Sequence, residues 1–326
     1  MSQALTRRTA LRTAAGMAAL ASVPAHAAIY PDRPVRVIAP FAPGGPSDLM
    51  ARLLCAKLAE TLGQPFYVEN RAGAGSNIGT AVAARAAPDG YTLLLTSSAF
   101  VVNPGLYKKI SYDAVADFAP IAELVTSPNV FIATPASGIT SIQGLVAAAR
   151  ARPDFYNYAS AGIGTTPHLA TEMLKVAAGI KLQHVPFAGA GPAMQAILSG
   201  TVPIGCAALP GAHPAILNRD LKALAVTGTQ RWYDLPDVPT MLELGYKGFV
   251  SDTFHALLAP AGTSPEIVAA LARASNEALG VPAFHDQLRT LGFEIIANGP
   301  DGLKRRIDAE LPMYRDIISK ALIEPV

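Results

Sequence analysis

The chain has little cysteine and little charge, and each scarcity excludes something. Only Cys55 and Cys206 occur in 326 residues. Two thiols so far apart give no disulfide framework, and both are expected to stay buried and free. Charged residues make up 15% of the chain, 26 basic against 24 acidic, so there is no basic footprint for nucleic acid. Beyond the N-terminal region, Gly, Pro or charge breaks every apolar run within about 15 residues, too soon for a membrane span. No Gly-x-Ser-x-Gly elbow, Ser-x-x-Lys or His-Glu-x-x-His motif occurs. The histidines at 168, 184, 213, 255 and 285 stand singly, without ligand spacing, so neither a metal nor a cofactor is expected.

What is present begins with a leader. "TRRTALR" (6–12) is a positive segment, "TAAGMAALASVPA" a short apolar one, and "AHA" (25–27) a small-residue cleavage site. This reads as a secretory signal peptide over residues 1–27, cleaved after Ala27. Cleavage removes Arg7, Arg8 and Arg12 and no acid, taking the formal charge from +2 to −1. The Arg7-Arg8 pair fits a twin-arginine signal or the positive region of a Sec signal, and both routes stay open.

The mature chain alternates strand and helix patterns. "VRVIAPF" reads as a buried strand and "SDLMARLLCAKLAETLG" as a helix with apolar residues at three-four spacing. "FYVEN" and "YTLLLTSS" are further strands around a second helix. A second series runs from "NVFIATP" to "LKALAVTG". "DTFHALLAP" (252–260) then crosses back, and helices are expected near 264–280, 282–291 and 300–321. The class is α/β, with mostly parallel sheets in two lobes and the C-terminal helices packed on the first.

Four stretches share one construction, a strand, a Gly-rich loop and a helix N-terminus: "APFAPGGPSD" (39–48), "ENRAGAGSNIG" (69–79), "YASAGIGTTPH" (158–168) and "VPFAGAGPAM" (185–194). Pro46, Pro167 and Pro192 suit a first helical turn, and Ser47 or Thr166 could cap it. Glycine lets backbone approach a guest, and the helix end offers N–H donors with partial positive charge. None of the loops has the Lys-Ser/Thr of a phosphate-binding Walker loop, and none has the dinucleotide glycine spacing. Asp48 could cap its own loop or touch a ligand. His168 could be a base, a ligand contact or a structural hydrogen-bonding group. Arg71 could pair with an anion or tie down Glu69 or Asp48.

"PVRVIAPFAPGGPSDLMAR", "VENRAGAGSNIGTAVAARAAPDGYTLLL", "NPGLYKKISYDAVADFAPIAEL", "YASAGIGTTPHLATEML", "HVPFAGAGPAMQAILSG" and "DVPTMLELGYKGF…LLAPAGTSPEIV" together resemble the Bug-type substrate-binding proteins of tripartite tricarboxylate transporters. The likeness runs from about residue 30 to the C-terminus. It implies a two-lobed periplasmic-binding-protein fold, type II-like, with the ligand cleft between the lobes. Lobe I would take residues 28–128 plus 253–326 and lobe II residues 129–252. The resemblance also implies a monomeric periplasmic receptor. It would hold a small carboxylate, chiefly through backbone N–H groups, and hand it to membrane permease subunits. The ligand could be a di- or tricarboxylate, an acidic amino acid or an aromatic acid, and Phe41, Phe187 and Phe254 would suit several bodies.

The residues then expected at the ligand fall on the four loops. The first supplies Phe41, Ala42, Gly44, Gly45 and Asp48, and the second Ala72, Gly73 and Ala74. Ser97 and Ser98 follow at a strand end. The third loop supplies Gly162, Thr165, Thr166 and His168, the fourth Phe187, Ala188 and Gly189, and the crossing segment Asp252. Two alternatives remain: a periplasmic hydrolase or isomerase using His168 or Asp48, and a ligand-binding sensor subunit. An enzyme would turn its ligand over, whereas a receptor returns it unchanged.

Overall fold

The computed structural model describes residues 30–320, 323, 325 and 326. The expected signal peptide and its cleavage point lie outside the described residues. In chain order the first elements are β1 (Val35–Ala39), α1 (Pro46–Leu62), β2 (Phe66–Asn70), α2 (Asn77–Ala84), β3 (Thr92–Ser97), α3 (Ala99–Leu106) and β4 (Phe118–Thr126). There follow β5 (Asn129–Ala133), α4 (Ile142–Ala151), β6 (Asn157–Ser160), α5 (Thr166–Ala178), β7 (Gln183–Pro186), α6 (Ala190–Leu198), β8 (Ile204–Ala208), α7 (Leu209–Leu217) and β9 (Lys222–Val226). The chain ends with β10 (His255–Pro260), α8 (Pro265–Leu279), α9 (Pro282–Thr290), β11 (Glu294–Asn298) and α10 (Pro300–Lys320).

The strands form two sheets, ordered β11-β4-β10-β3-β1-β2 and β7-β6-β8-β5-β9. The chain passes between them at Ser127–Asn129 and again at Ser251–Thr253. These two passages are joined: Ser127 and Thr253 exchange backbone hydrogen bonds of 3.0 and 2.8 Å, and Pro128 bridges to Asp252.

Both sheets are mixed, not mostly parallel. β1 runs parallel to β2 and β3, and β6 parallel to β7 and β8, as alternating strands and helices require. β10 is antiparallel to β3 and β4, and β5 antiparallel to β8 and β9. The reason is the crossing. Strands followed by a Gly-rich loop end at the junction of the sheets, while β5 and β10 begin there and run away from it. His255 therefore lies beside Ser97, and Asn129 beside Ala208.

Each sheet is covered on both faces. α1 begins with Pro46 at its first helical position and stops at Gly63, whose φ of 72° only glycine adopts readily. Met50, Ala51, Leu54, Cys55 and Leu58 recur on one buried stripe and pack with α8 and α9 against the first sheet. Truncating Leu54 there to alanine should cost about 2–5 kcal/mol. On the opposite face Leu303, Ile307, Tyr314 and Ile318 of α10 meet Phe100 and Val101 of α3. Cys55 and Cys206 are free and buried in the cores of different sheets.

Four elements lie outside the sequence reading. α3 and α7 contain Pro104 and Pro214, which read as helix breakers but sit near the C-terminal ends of short helices. β4 carries Pro120 and a charged Glu123, and β11 is half-buried without strict alternation.

Candidate functional site

The four Gly-rich loops meet in pairs, one from each sheet. The first faces the fourth: Ala42 N–H donates to Ala188 O at 3.2 Å, and a Cβ built on Gly45 would lie 3.2 Å from the Ala190 Cβ. The second faces the third. Gly75, at φ 60°, sits so close that a Cβ there would come 2.1 Å from the Ile163 carbonyl oxygen.

At these meeting points lie neighbouring chambers that share lining residues. The innermost, of about 40 Å³, is lined by Phe41, Gly45, Pro46, Ser47, Ser97, Ala161, Thr165, Thr166, Pro167, Ala190, Ala208, Thr253 and His255. An outer chamber of about 200 Å³ shares Phe41 and Ala161 with it and adds Gly73, Ala74, Gly162, Phe187, Ala188 and Tyr107. A groove of about 390 Å³ lies against Ala42, Gly44 and Ala190. Among the described residues, no Lys, Arg, Asp or Glu lines any of the three.

Helix N-termini surround the inner chamber. Gly45, Thr165, Gly189 and Ala208 are the N-cap residues of α1, α5, α6 and α7, and Ser97 immediately precedes Ser98, the N-cap of α3. None of the five has a side-chain cap, whereas Ser141 and Ser264 cap α4 and α8 elsewhere. Another uncapped helix, α9, begins beside exposed Val281, where water can serve. First-turn N–H groups have no intrahelical partner and carry partial positive charge. An uncharged chamber ringed by such ends can hold an anion on backbone donors alone.

The hydroxyls expected to cap are used otherwise. Ser47 Oγ lies 3.1 Å from His255 Nε2, and Thr166 Oγ1 lies 3.4 Å from Asn129 Oδ1 and closer still to Thr253 Oγ1. Thr165 Oγ1 donates to Gly162 O at 2.7 Å. These bonds tie the loops to the crossing segments and leave the N-termini uncapped.

Several expected residues stand back from the chambers. Asp48 turns to its own loop, accepting from Gly44 N–H at 3.1 Å, Arg52 Nε at 3.0 Å and Asn70 Nδ2 at 2.9 Å. Burial opposes its charge, yet Arg52, Gly44 and Asn70 hold its carboxyl below the usual range. His168 is buried behind the third loop, stacked on His184 with 4.4 Å between centroids, and its Nδ1 accepts from Gly164 N–H at 3.4 Å. Burial, and secondarily Lys175, pushes His168 down to about 4. His184 in turn bonds Ser160 Oγ at 2.7 Å, bracing the same loop. Ser98 Oγ accepts from Phe254 N–H at 2.9 Å, and Gly189 packs on Ala42. Ala72 lies outside the chamber lining, and Arg71 pairs with Glu69.

Asp252 is elsewhere. Arg306 binds both its oxygens, at 3.0 and 2.9 Å, beside a cavity of about 630 Å³ that shares no residue with the chambers. Conversely, the inner chamber includes residues absent from the sequence expectation: Pro46, Ser47, Ala161, Pro167, Ala190, Ala208, Thr253 and His255. Ala208 ends a strand directly before a helix, the same kind of turn as the four loops, but no glycine marks it. His255 carries no local signal at all.

Two α/β lobes joined by a double crossing, with a cleft rimmed by helix N-termini, define a solute-binding receptor. Residues 50–322 match the TctC family, described as "Tripartite tricarboxylate transporter family receptor". The chain is 37% identical over 306 residues to Protein BugT of Bordetella pertussis, covering 93% of each. The periplasmic binding protein BugD superposes with a TM-score of 0.88 at 37% identity, over 90% of this chain and 99% of that one. Rpa4515 of R. palustris, solved with adipate, also gives 0.88, at 32% identity over 91% and 100%. The chain belongs to the TctC family of receptors. Its members are periplasmic solute-binding proteins, not enzymes, and carry this two-lobed fold.

Proposed function

We propose that the protein is a periplasmic receptor that closes on a small carboxylate and delivers it to the membrane permease subunits of a tripartite tricarboxylate-type transporter. The supporting observation is the set of five uncapped helix N-termini around a chamber lined, among the described residues, by no Lys, Arg, Asp or Glu. A helix end contributes about 0.3–1 kcal/mol toward an anion, and a charge-assisted hydrogen bond about 1.5–3 kcal/mol. Two helix ends and two or three such bonds reach roughly 4–11 kcal/mol before ordering costs, enough without a lysine or arginine. The adipate in Rpa4515 accords with a carboxylate of this size.

In this reading the lobes are residues 28–128 plus 253–326 and residues 129–252, turning about the paired passages at Ser127 and Thr253. The ligand contacts are the chamber-lining members of the four loops: Phe41, Gly45, Ser97, Thr165 and Thr166 inside, with Gly73, Ala74, Gly162, Phe187 and Ala188 outside. The mature monomer reaches the periplasm after cleavage at Ala27. The test is a thermal-shift screen of di-, tri- and aromatic carboxylates against their methyl esters. A true ligand at a hundred times its dissociation constant should add about 2.7 kcal/mol of stability, and its ester should add nothing. Equal shifts from acid and ester would refute the anion clamp.

A further inference from the structure

Tyr233 reaches from the second sheet's side to the first, away from the ligand chambers. It lies in the loop after β9, and its neighbours are fixed on that side. Arg231 Nε donates to both oxygens of Glu243, at 3.0 and 2.9 Å, and Asp234 meets His213 Nε2 at 3.0 Å. Trp232 packs against the cluster that holds Val130 and Ile132 of β5. Opposite stands Arg289 near the end of α9, a helix whose Phe284 and Leu288 are buried in the core of the first sheet. Tyr233 Oη donates to Arg289 O at 3.2 Å, and the Arg289 guanidinium lies 4.3 Å from the centre of the Tyr233 ring. Three residues on, a Cβ on Gly292 would come 3.2 Å from Pro210 at the start of α7. Tyr233 and Arg289 line the cavity of about 630 Å³ beside Asp252. Both are exposed, so neither fills a core.

This contact needs its two sides close together. A hydrogen bond is lost beyond about 3.5 Å, and a cation–ring attraction beyond about 6 Å. It forms in the same arrangement in which Ala42 N–H bonds Ala188 O across the cleft. A turn about the passages at Ser127 and Thr253 moves each lobe as a body, and so displaces the β9 loop from α9. A contact made in one of two arrangements shifts the balance toward it by the contact's own free energy. We propose that Tyr233 and Arg289 form a clasp that favours the closed arrangement, so that ligand affinity depends on two residues standing apart from the chambers. This rests on the lobe closure proposed above. Ligand that binds the closed arrangement pays for closing it, and an intact clasp lowers that cost.

The test combines solution scattering of the unliganded mature protein with calorimetric titration by adipate, the acid present in the Rpa4515 structure. Without ligand, Tyr233→Ala and Arg289→Ala should each give a larger radius of gyration than the wild type. Arg289→Ala should weaken adipate binding about two- to fivefold, and Tyr233→Ala, which loses the hydrogen bond as well, about fivefold or more. Tyr233→Phe keeps the ring and should fall between the wild type and Tyr233→Ala. The double alanine variant should bind like Tyr233→Ala alone, because the guanidinium has no ring left to cover. Melting curves establish that each variant folds. Radii and affinities equal to the wild type overturn the clasp and leave the receptor reading standing, as does a double variant whose losses simply add. Should adipate give no heat, the unliganded radii decide. Adipate that binds but compacts neither the wild type nor Tyr233→Ala overturns lobe closure, and the clasp with it.

Discussion

The backbone N–H of Ala42 donates to the carbonyl of Ala188 across the cleft, joining loops that belong to different sheets. At the two glycines flanking this bond there is no room for a side chain. A Cβ on Gly45 would lie 3.2 Å from Ala190, and one on Gly189 would lie 3.1 Å from the Ala42 nitrogen. Gly45→Val and Gly189→Val should each weaken ligand binding by about tenfold or more, because the lobes cannot close past the added methyls. Arg71→Gln should do less, since Arg71 is spent on Glu69. Calorimetry ranks the three, and Arg71→Gln as the most damaging would show that a side-chain ion pair holds the anion.

Arg306 ties α10 to the crossing segment. It binds Glu123 and Asp252, lies 2.7 Å from Glu310, and covers the Phe254 ring at 4.5 Å. Glu123 is only 2% exposed. Arg306→Met would leave these carboxylates uncompensated, and urea unfolding should show a loss of about 3–5 kcal/mol. Arg306→Lys should recover only part of this, because a single ammonium cannot replace the fork across three acids.

Stability should rise with pH between about 4.5 and 6.5. His168, His184 and His255 are pushed down by burial to about 4, 3 and 3. As pH falls below about 6.5 the unfolded chain takes protons that the folded one refuses, at up to about 1.4 kcal/mol per pH unit for each histidine. Glu310 opposes them. Burial, against the pull of Arg306, pushes it up to about 7, so its contribution is full below about 4.5 and fades as pH rises through 7. Three histidines outweigh one glutamate. Glu310→Gln should steepen the rise in melting temperature with pH, and an unchanged slope would argue against a protonated Glu310.

If the paired passages at Ser127 and Thr253 act as a hinge, a saturating carboxylate should reduce the radius of gyration in solution scattering. Superimposable curves with and without ligand would indicate a rigid cleft.

Export is tested at the N-terminus. Periplasmic protein should begin at Ala28, read by N-terminal sequencing. Arg7-Arg8→Lys-Lys should retain the precursor on a twin-arginine route and leave export unchanged on a Sec route.

By itself the sequence determined the local geometry of the loops and much of the architecture. Pro46, Gly63 and the stripe Met50–Leu54–Leu58 specify α1 because their effects act within one or two turns. The glycines at 45, 75, 162 and 189 mark the meeting points of the loops, because a close backbone approach excludes a side chain wherever it occurs. The short proline-bearing helices α3 and α7 escaped, since tertiary packing overrode a local breaker. Tertiary structure alone decided which loop faces which, and that β5 and β10 run against their neighbours. It also turned Asp48 and His168 away from the chambers and brought His255 beside Ser47, 208 residues away in the chain. Periodicity and turn chemistry report short-range preferences. Pairings across such a separation depend on how two folded sheets meet at a shared crossing, and no window of sequence contains both partners.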